Sequence, residues 1–252
     1  MKTKKIGLVG IYFPGAYDAL HENVPEGFEL VDALSPEAYG NLADCEYLIS
    51  RLDIDPDIIN HTPNVKFWQR WGAGFDHVDL KAWGERGIPI ATCPGVNSGM
   101  VAELAIMLML AGYRNLLQIN RQLRAGHWPR TEYFGRSFMI KGKTVGVLGL
   151  GHIGKKVAAL ASAFGANVIY YDIVRQPEQE EQFGYRFVDF DTLLKESDIF
   201  TIHCPLNEET RGMIGAAQFA KMKPTAMLIN TARGPIVDEA ALVDALTTGK
   251  IA

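Results

Sequence analysis

The run Lys143-Thr144-Val145-Gly146-Val147-Leu148 feeds directly into Gly149-Leu150-Gly151-His152-Ile153-Gly154, and a periodic helical stretch comes next. A second apolar run, Asn167-Val168-Ile169-Tyr170-Tyr171, ends at Asp172. Strand, glycine turn, helix, strand and terminal acid in that order confine this part of the chain to a βαβ unit of a parallel sheet. The same order is a dinucleotide-binding fingerprint. Gly149 permits the tight turn, Gly151 lets the backbone approach a pyrophosphate, and Gly154 lets the helix pack on its strand. Free N–H groups and the positive helix end then face the phosphates. Asp172 is placed to accept hydrogen bonds from a ribose 2′-OH and to repel a 2′-phosphate, which favours NAD over NADP. Arg175, three residues on, keeps NADP open, because a nearby arginine can hold that phosphate.

Composition narrows the partners. The 252 residues are 48% hydrophobic and 21% charged, enough for two domains and incompatible with extended disorder. A net charge of −4 with no dense Lys/Arg cluster argues against nucleic acid or an anionic membrane surface. Cys45, Cys93 and Cys204 form no Cys-x-x-Cys pair, which suits a reducing cytoplasm and no metal site. Met1–Lys5 is basic and Ile6–Phe13 apolar, but Pro14-Gly15 breaks the run, so a buried first strand is expected rather than a signal peptide. Leu104–Gly112 is apolar but far short of the ~20 residues a bilayer needs, and reads as a buried helix.

Before the fingerprint, short apolar runs alternate with helical ones. Strands are expected at Lys5–Val9, Phe28–Val31, Tyr47–Ser50, Val65–Phe67 and Ile88–Ala91. Helices are expected at Asp18–Glu22, Pro36–Ala43, Asp55–His61 and Leu80–Arg86. This alternation implies an open α/β domain of its own. One long helix is expected from Met100 to Leu123. Beyond the fingerprint, strands at Phe187–Val188, Ile199–Cys204 and Ala226–Asn230 and helices at Asp191–Lys195, Ala216–Lys221 and Asp238–Thr247 complete a doubly wound sheet.

Two segments fall at strand carboxyl ends, where such a sheet binds ligands: His203-Cys204-Pro205-Leu206 and Asn230-Thr231-Ala232-Arg233-Gly234. Arg233 is either a bidentate clamp for a carboxylate or carbonyl oxygen, or a surface residue closing a turn. Trp71-Gly72-Ala73-Gly74-Phe75-Asp76 is either a small anion nest, using the N–H groups of Ala73 and Gly74, or a plain turn. Tryptophans read as core or interface packing, and His21, His61 and His127 as solvated.

Taken together, Gly72–Asp76, Val101-Ala102-Glu103, Gly149–Gly154, His203–Leu206 and Asn230–Gly234 resemble the D-isomer-specific 2-hydroxyacid dehydrogenases, in order and across essentially the whole chain. The resemblance implies an α/β protein of two open parallel-sheet domains flanking a cleft. A flavodoxin-like substrate domain would span 1–97, and a Rossmann NAD-binding domain lacking its last strands would span 98–252, with homodimerisation through the latter. It implies hydride transfer between NAD and a small 2-oxo or 2-hydroxy acid. Arg233 matches the arginine that binds the substrate carboxylate and polarises its carbonyl. Ala73 and Gly74 match the carboxylate-holding amides, and His203, Cys204 and Pro205 match the wall beside the adenine and ribose. His152 and Ile153 match positions lying along the pyrophosphate, and Thr231, Ala232 and Arg233 match the segment passing the nicotinamide, which Met100 faces. The family's proton-donor histidine and its glutamate have no counterpart before Ala252, so slow turnover, or cofactor binding without turnover, is expected of these 252 residues. His77 is the only stand-in base.

Overall fold

The computed structural model describes residues 3–52 and 54–252; Met1, Lys2 and Asp53, two of them in the basic amino-terminal run, lie outside the described residues. Backbone contacts divide the chain into two units, Met1–Val96 and Asn97–Ala252.

Unit 1 contains β1 (Lys4–Gly10), α1 (Pro14–Glu22), β2 (Phe28–Ala33), β3 (Tyr47–Arg51), β4 (Phe67–Arg70), α2 (Leu80–Glu85) and β5 (Ile90–Ala91). Its five strands lie in the order β2-β1-β3-β4-β5, all parallel, which is the flavodoxin-like order. The helix expected from Asp18 begins at Pro14 instead, since proline at a helix start sacrifices no useful N–H. Pro36–Asp44 and Pro56–His61 are 3₁₀ rather than α-helical. The strand expected at Val65–Phe67 is displaced to Phe67–Arg70. Its burial alternates, with Trp68 and Arg70 inward, and an inward arginine is what hid this strand from a reading by hydrophobicity. Trp68 and Trp83 meet at 4.8 Å in the core with Leu42, Leu48 and Ile58.

Unit 2 opens with α3 (Ser98–Tyr113) and α4 (Leu116–Arg124). The single helix expected here is bent by 63°. Asn115 adopts a left-handed conformation (φ 52°), and its side chain donates to the Arg136 carbonyl at 2.8 Å, fixing the break. Among the described residues no single helix is long and apolar enough to cross a membrane. Then come β6 (Thr144–Leu148), α5 (His152–Ala163), β7 (Asn167–Tyr171), α6 (Pro177–Phe183), β8 (Arg186–Phe187), α7 (Phe190–Glu196), β9 (Ile199–Ile202), α8 (Ala216–Phe219), β10 (Met227–Asn230) and α9 (Glu239–Thr247). The parallel order is β10-β9-β6-β7-β8. Counted within the unit and read from the β8 edge this is 3-2-1-4-5, five strands of the dinucleotide-binding order 3-2-1-4-5-6. Along β6 successive side chains go to opposite faces: Val145 and Val147 pack with α3 and α5, while Leu148 packs with α7 and the Phe219 helix. Both faces are thus covered, which is why β6 and β9 read as unbroken apolar runs.

α3 is not fully buried. Ala102, Ala105 and Met109 face the core, but Leu104, Met107 and Leu108 are exposed. Trp128 is likewise outside any core, at 75% exposure. The three histidines expected to be solvated each have a carboxylate partner: His21 with Asp32, His61 with Asp57 and His127 with Glu132.

Candidate functional site

The fingerprint turn is assembled from the carboxyl ends of three neighbouring strands. Gly149 (φ +91°) donates its N–H to the Tyr171 carbonyl at 2.9 Å, and His203 N–H reaches the Leu148 carbonyl at 2.7 Å. A Cβ on Gly149 would lie 2.7 Å from Cys204 N, so the β9 exit segment can seat only against glycine. A Cβ on Gly154 would lie 2.0 Å from the Gly149 carbonyl oxygen, so helix and turn are in backbone contact. Gly151 differs: nothing lies within 4 Å of where its Cβ would be. Gly151 precedes α5, whose first N–H groups have no side-chain cap, with His152 and Ile153 in that first turn. Uncapped N–H groups beside open space suit an anionic ligand.

Asp172 comes directly after β7. Its Oδ2 accepts from Leu150 N at 2.6 Å and its Oδ1 accepts from Val174 N at 3.1 Å. The fingerprint backbone therefore holds the carboxylate directly, and the remaining lone pairs are available to hydroxyl donors. Ile173, the next residue, is 89% exposed and apolar, offering nothing to a phosphate. Arg175 is committed elsewhere: Nε and Nη2 donate to Glu180 at 2.9 and 2.7 Å. That guanidinium, helped by the Tyr170 hydroxyl, pulls the Glu180 carboxyl down to about 2.

At the end of β9, burial lowers the His203 pKa to about 4, leaving a neutral ring. One ring nitrogen pairs with Thr201 Oγ1 at 2.8 Å, while the buried Nδ1 has no partner among the described residues. Burial also pushes the Cys204 thiol up to about 11, so it is unreactive, and Pro205 is exposed. At the end of the adjacent strand β10, buried Thr231 Oγ1 is likewise without a partner. Two unpartnered polar atoms at adjacent strand ends are costly unless a ligand satisfies them. Together with the open side of Gly151 and the oriented Asp172, they fit a dinucleotide.

Asn230 shapes the turn at the end of β10. Its Oδ1 accepts from Ala232 N at 3.0 Å and its Nδ2 donates to the Arg233 carbonyl at 2.9 Å. This Asx-type brace turns the chain at the residue from which Arg233 projects, half-buried, with Nη1 on the Ala232 carbonyl at 2.8 Å. The sequence offered a signal for it, an asparagine closing a strand before a turn. Met100 stands on the first turn of α3, 68% exposed. Ala73 and Gly74 belong to unit 1, in the loop after β4. Among the described residues their N–H groups have no protein acceptor. No group of three or more His, Cys, Asp or Glu side chains among the described residues is placed to hold a metal ion.

Residues 106–252 match the model of the NAD-binding domain of D-isomer specific 2-hydroxyacid dehydrogenases. The chain is 44% identical to a D-3-phosphoglycerate dehydrogenase of Archaeoglobus fulgidus over 203 residues, 81% of this chain and 38% of that one. It is 41% identical to a glyoxylate reductase of Thermococcus litoralis over 204 residues, 79% of this chain and 62% of the relative. The chain thus spans less than two thirds of either relative. A crystal structure of a glyoxylate reductase from Paecilomyes thermophila superposes with a TM-score of 0.84 at 34% identity, covering 100% of this chain and 80% of that one. The chain belongs to the D-isomer specific 2-hydroxyacid dehydrogenase family.

Proposed function

We propose that the chain binds NAD at the strand ends of unit 2 and serves hydride exchange between a small D-2-hydroxy acid and its 2-oxo acid. The observation that carries this is Asp172, held by the fingerprint backbone beside the open side of Gly151. In this reading Asp172 accepts from the adenosine ribose, and the amides at His152 and Ile153 face the pyrophosphate. His203, Cys204 and Pro205 wall the nucleoside, and Thr231, Ala232 and Met100 border the nicotinamide. Bound NAD provides the hydride acceptor or donor. The rest falls to this chain's own groups: Arg233 pairs with the oxo acid and draws charge onto its carbonyl oxygen, while Ala73 and Gly74 N–H groups hold a carboxylate. Unit 1 is then the substrate domain and unit 2 the cofactor domain. Relatives named glyoxylate reductase and hydroxypyruvate reductase make those two oxo acids the first substrates to try.

Titrating NADH and NADPH against tryptophan fluorescence tests the cofactor reading: NADH binds tighter, and equal or reversed affinities overturn it. NADH oxidation with glyoxylate or hydroxypyruvate tests the reaction.

We also infer that a second copy covers α3. Leu110, Leu116 and Leu160 line a groove of about 450 Å³ with exposed Met107 at its edge, and a helix apolar all round belongs inside an interface. Met107→Glu turns a dimer into a monomer in light scattering. Three free cysteines favour the cytoplasm as the compartment.

A further inference from the structure

The loop after β4 is held from beneath by one buried cation. Arg70, the last residue of β4, is 8% exposed. Its Nε donates to the Gly74 carbonyl at 2.6 Å, and its Nη1 donates to the Leu52 carbonyl at 2.8 Å. The two acceptors stand in different loops, which leave the carboxyl ends of the paired strands β3 and β4. Leu52 is in the left-handed region (φ 61°), which a leucine adopts only when its surroundings impose it. A guanidinium suits this post because its rigid fork reaches two carbonyls at once.

Peptide planarity extends the effect of that fork. In a trans peptide the C=O and the following N–H point in opposite directions. Arg70 draws the Gly74 carbonyl inward, so the Phe75 N–H is turned away from Arg70. Cys93 N–H holds the Gly72 carbonyl at 2.9 Å, so the Ala73 N–H is turned away from Cys93. Ala73 and Phe75 are both exposed, and among the described residues neither N–H has a protein acceptor. Two fixed peptides thus flank the Gly74 amide.

We propose that Arg70 is a positioning residue. It locks the Leu52 and Gly72–Phe75 loops together and so presents the Ala73, Gly74 and Phe75 N–H groups as a preformed nest for the carboxylate of the oxo acid. This rests on reading that loop as the carboxylate site. Arg70 itself touches no substrate, and Phe75 joins the nest through its backbone alone.

The test uses Arg70→Lys and Arg70→Gln in the full chain. Calorimetry reads the affinity for oxamate, an unreducible oxo-acid mimic, with NADH saturating. Hydrogen exchange reads the amides of residues 72–76. We expect both variants to lose about tenfold or more in oxamate affinity, since misplacing a positioned group by about 1 Å costs up to roughly 10²-fold. We also expect an unchanged NADH dissociation constant and faster exchange at 72–76, with β1 and β3 amides as slow as in the parent. If either folded variant binds oxamate as the parent does, the positioning role is overturned. It is also overturned if all of unit 1 exchanges faster together, in which case Arg70 only supports the fold. Should Arg70→Gln fail to fold, the lysine variant decides alone, because it keeps the charge and reaches one carbonyl. A parent chain that binds NADH but no oxamate overturns the carboxylate reading itself, and the positioning role with it.

Discussion

At the carboxyl edge of the unit 2 sheet, backbone meets backbone: Gly149 seats Cys204, Gly154 seats the Gly149 carbonyl, and polar atoms on His203 and Thr231 are left unpartnered. At the carboxyl edge of the unit 1 sheet the pattern is mixed: a Cβ on Gly10, which ends β1, would lie 2.2 Å from the Arg51 carbonyl oxygen, but after β4 Gly72 has open space around it and a buried arginine ties the β3 and β4 loops together. The fingerprint turn of unit 2 gains its precision by close approach, and the β4 loop of unit 1 by a side-chain strut. A large ligand of constant shape suits the first design. A small anion, gripped through a few amides, suits the second, because a loop on a strut can be reshaped without disturbing its sheet.

Glycine substitutions should break this comparison most forcefully if it is wrong. Gly154→Ala forces a Cβ to 2.0 Å from a carbonyl oxygen that cannot swing aside, and should cost about 3 kcal/mol or more, the upper end for overpacking. Gly72→Ala meets nothing within 4 Å and should leave the urea midpoint almost unmoved. Equal losses from the two would erase the distinction between the fingerprint turn and the β4 loop.

Acid should also strain the unit 2 edge. The folded His203 titrates at about 4, below its ordinary value of 6.5, because its ring is buried. Between those values the unfolded chain binds the extra proton and the folded one does not. Stability is therefore whole above about pH 6.5 and falls as pH drops toward 4, by on the order of 3 kcal/mol from this residue. Urea melts from pH 7 to 4 should show that slope, and His203→Gln should flatten it.

Chemistry at the Asn230 turn comes next. Arg233→Lys keeps the charge but loses the fork, and should lower turnover about 10²-fold, the scale for removing an oriented donor, while the NADH dissociation constant holds. Full turnover in that variant would make Arg233 a turn residue. The smallest effect is expected for Asp172→Ala, which should weaken NADH by about 1–3 kcal/mol, since the amides of Leu150 and Val174 lose their acceptor along with the ribose. An unaltered NADH titration would detach Asp172 from the cofactor.

Legibility in the sequence tracks how local each signal is. The fingerprint, its two strands and the order of elements are readable because contiguous residues carry them. β4 is misplaced because Gln69 and Arg70 look like loop residues, and the α3–α4 break is missed because Asn115 turns left-handed without a glycine or proline to announce it. α6 goes unread because its helix, Pro177–Phe183, is polar and buries no residue. At the site, the Asn230 brace lies within four residues, whereas Arg70 finds one acceptor 18 residues away, and no pattern of neighbours reveals that pairing.

The Arg175–Glu180 pair has a bearing on how this protein's cofactor preference can drift. Acquiring NADP needs both the loss of the Asp172 carboxylate and a liberated cation, and the two steps are not interchangeable in order. Removing Asp172 first strands two backbone amides and gains nothing, because Arg175 is still tied to Glu180. Losing Glu180 first breaks a pair whose arginine lies largely in solvent and strands one donor, the Tyr170 hydroxyl, but it leaves Arg175 loose beside an intact Asp172. A path through Glu180 strands one hydroxyl and frees the needed cation, whereas one through Asp172 strands two amides and frees nothing. Lineages or libraries selected for NADP should therefore fix changes at position 180 before changes at 172.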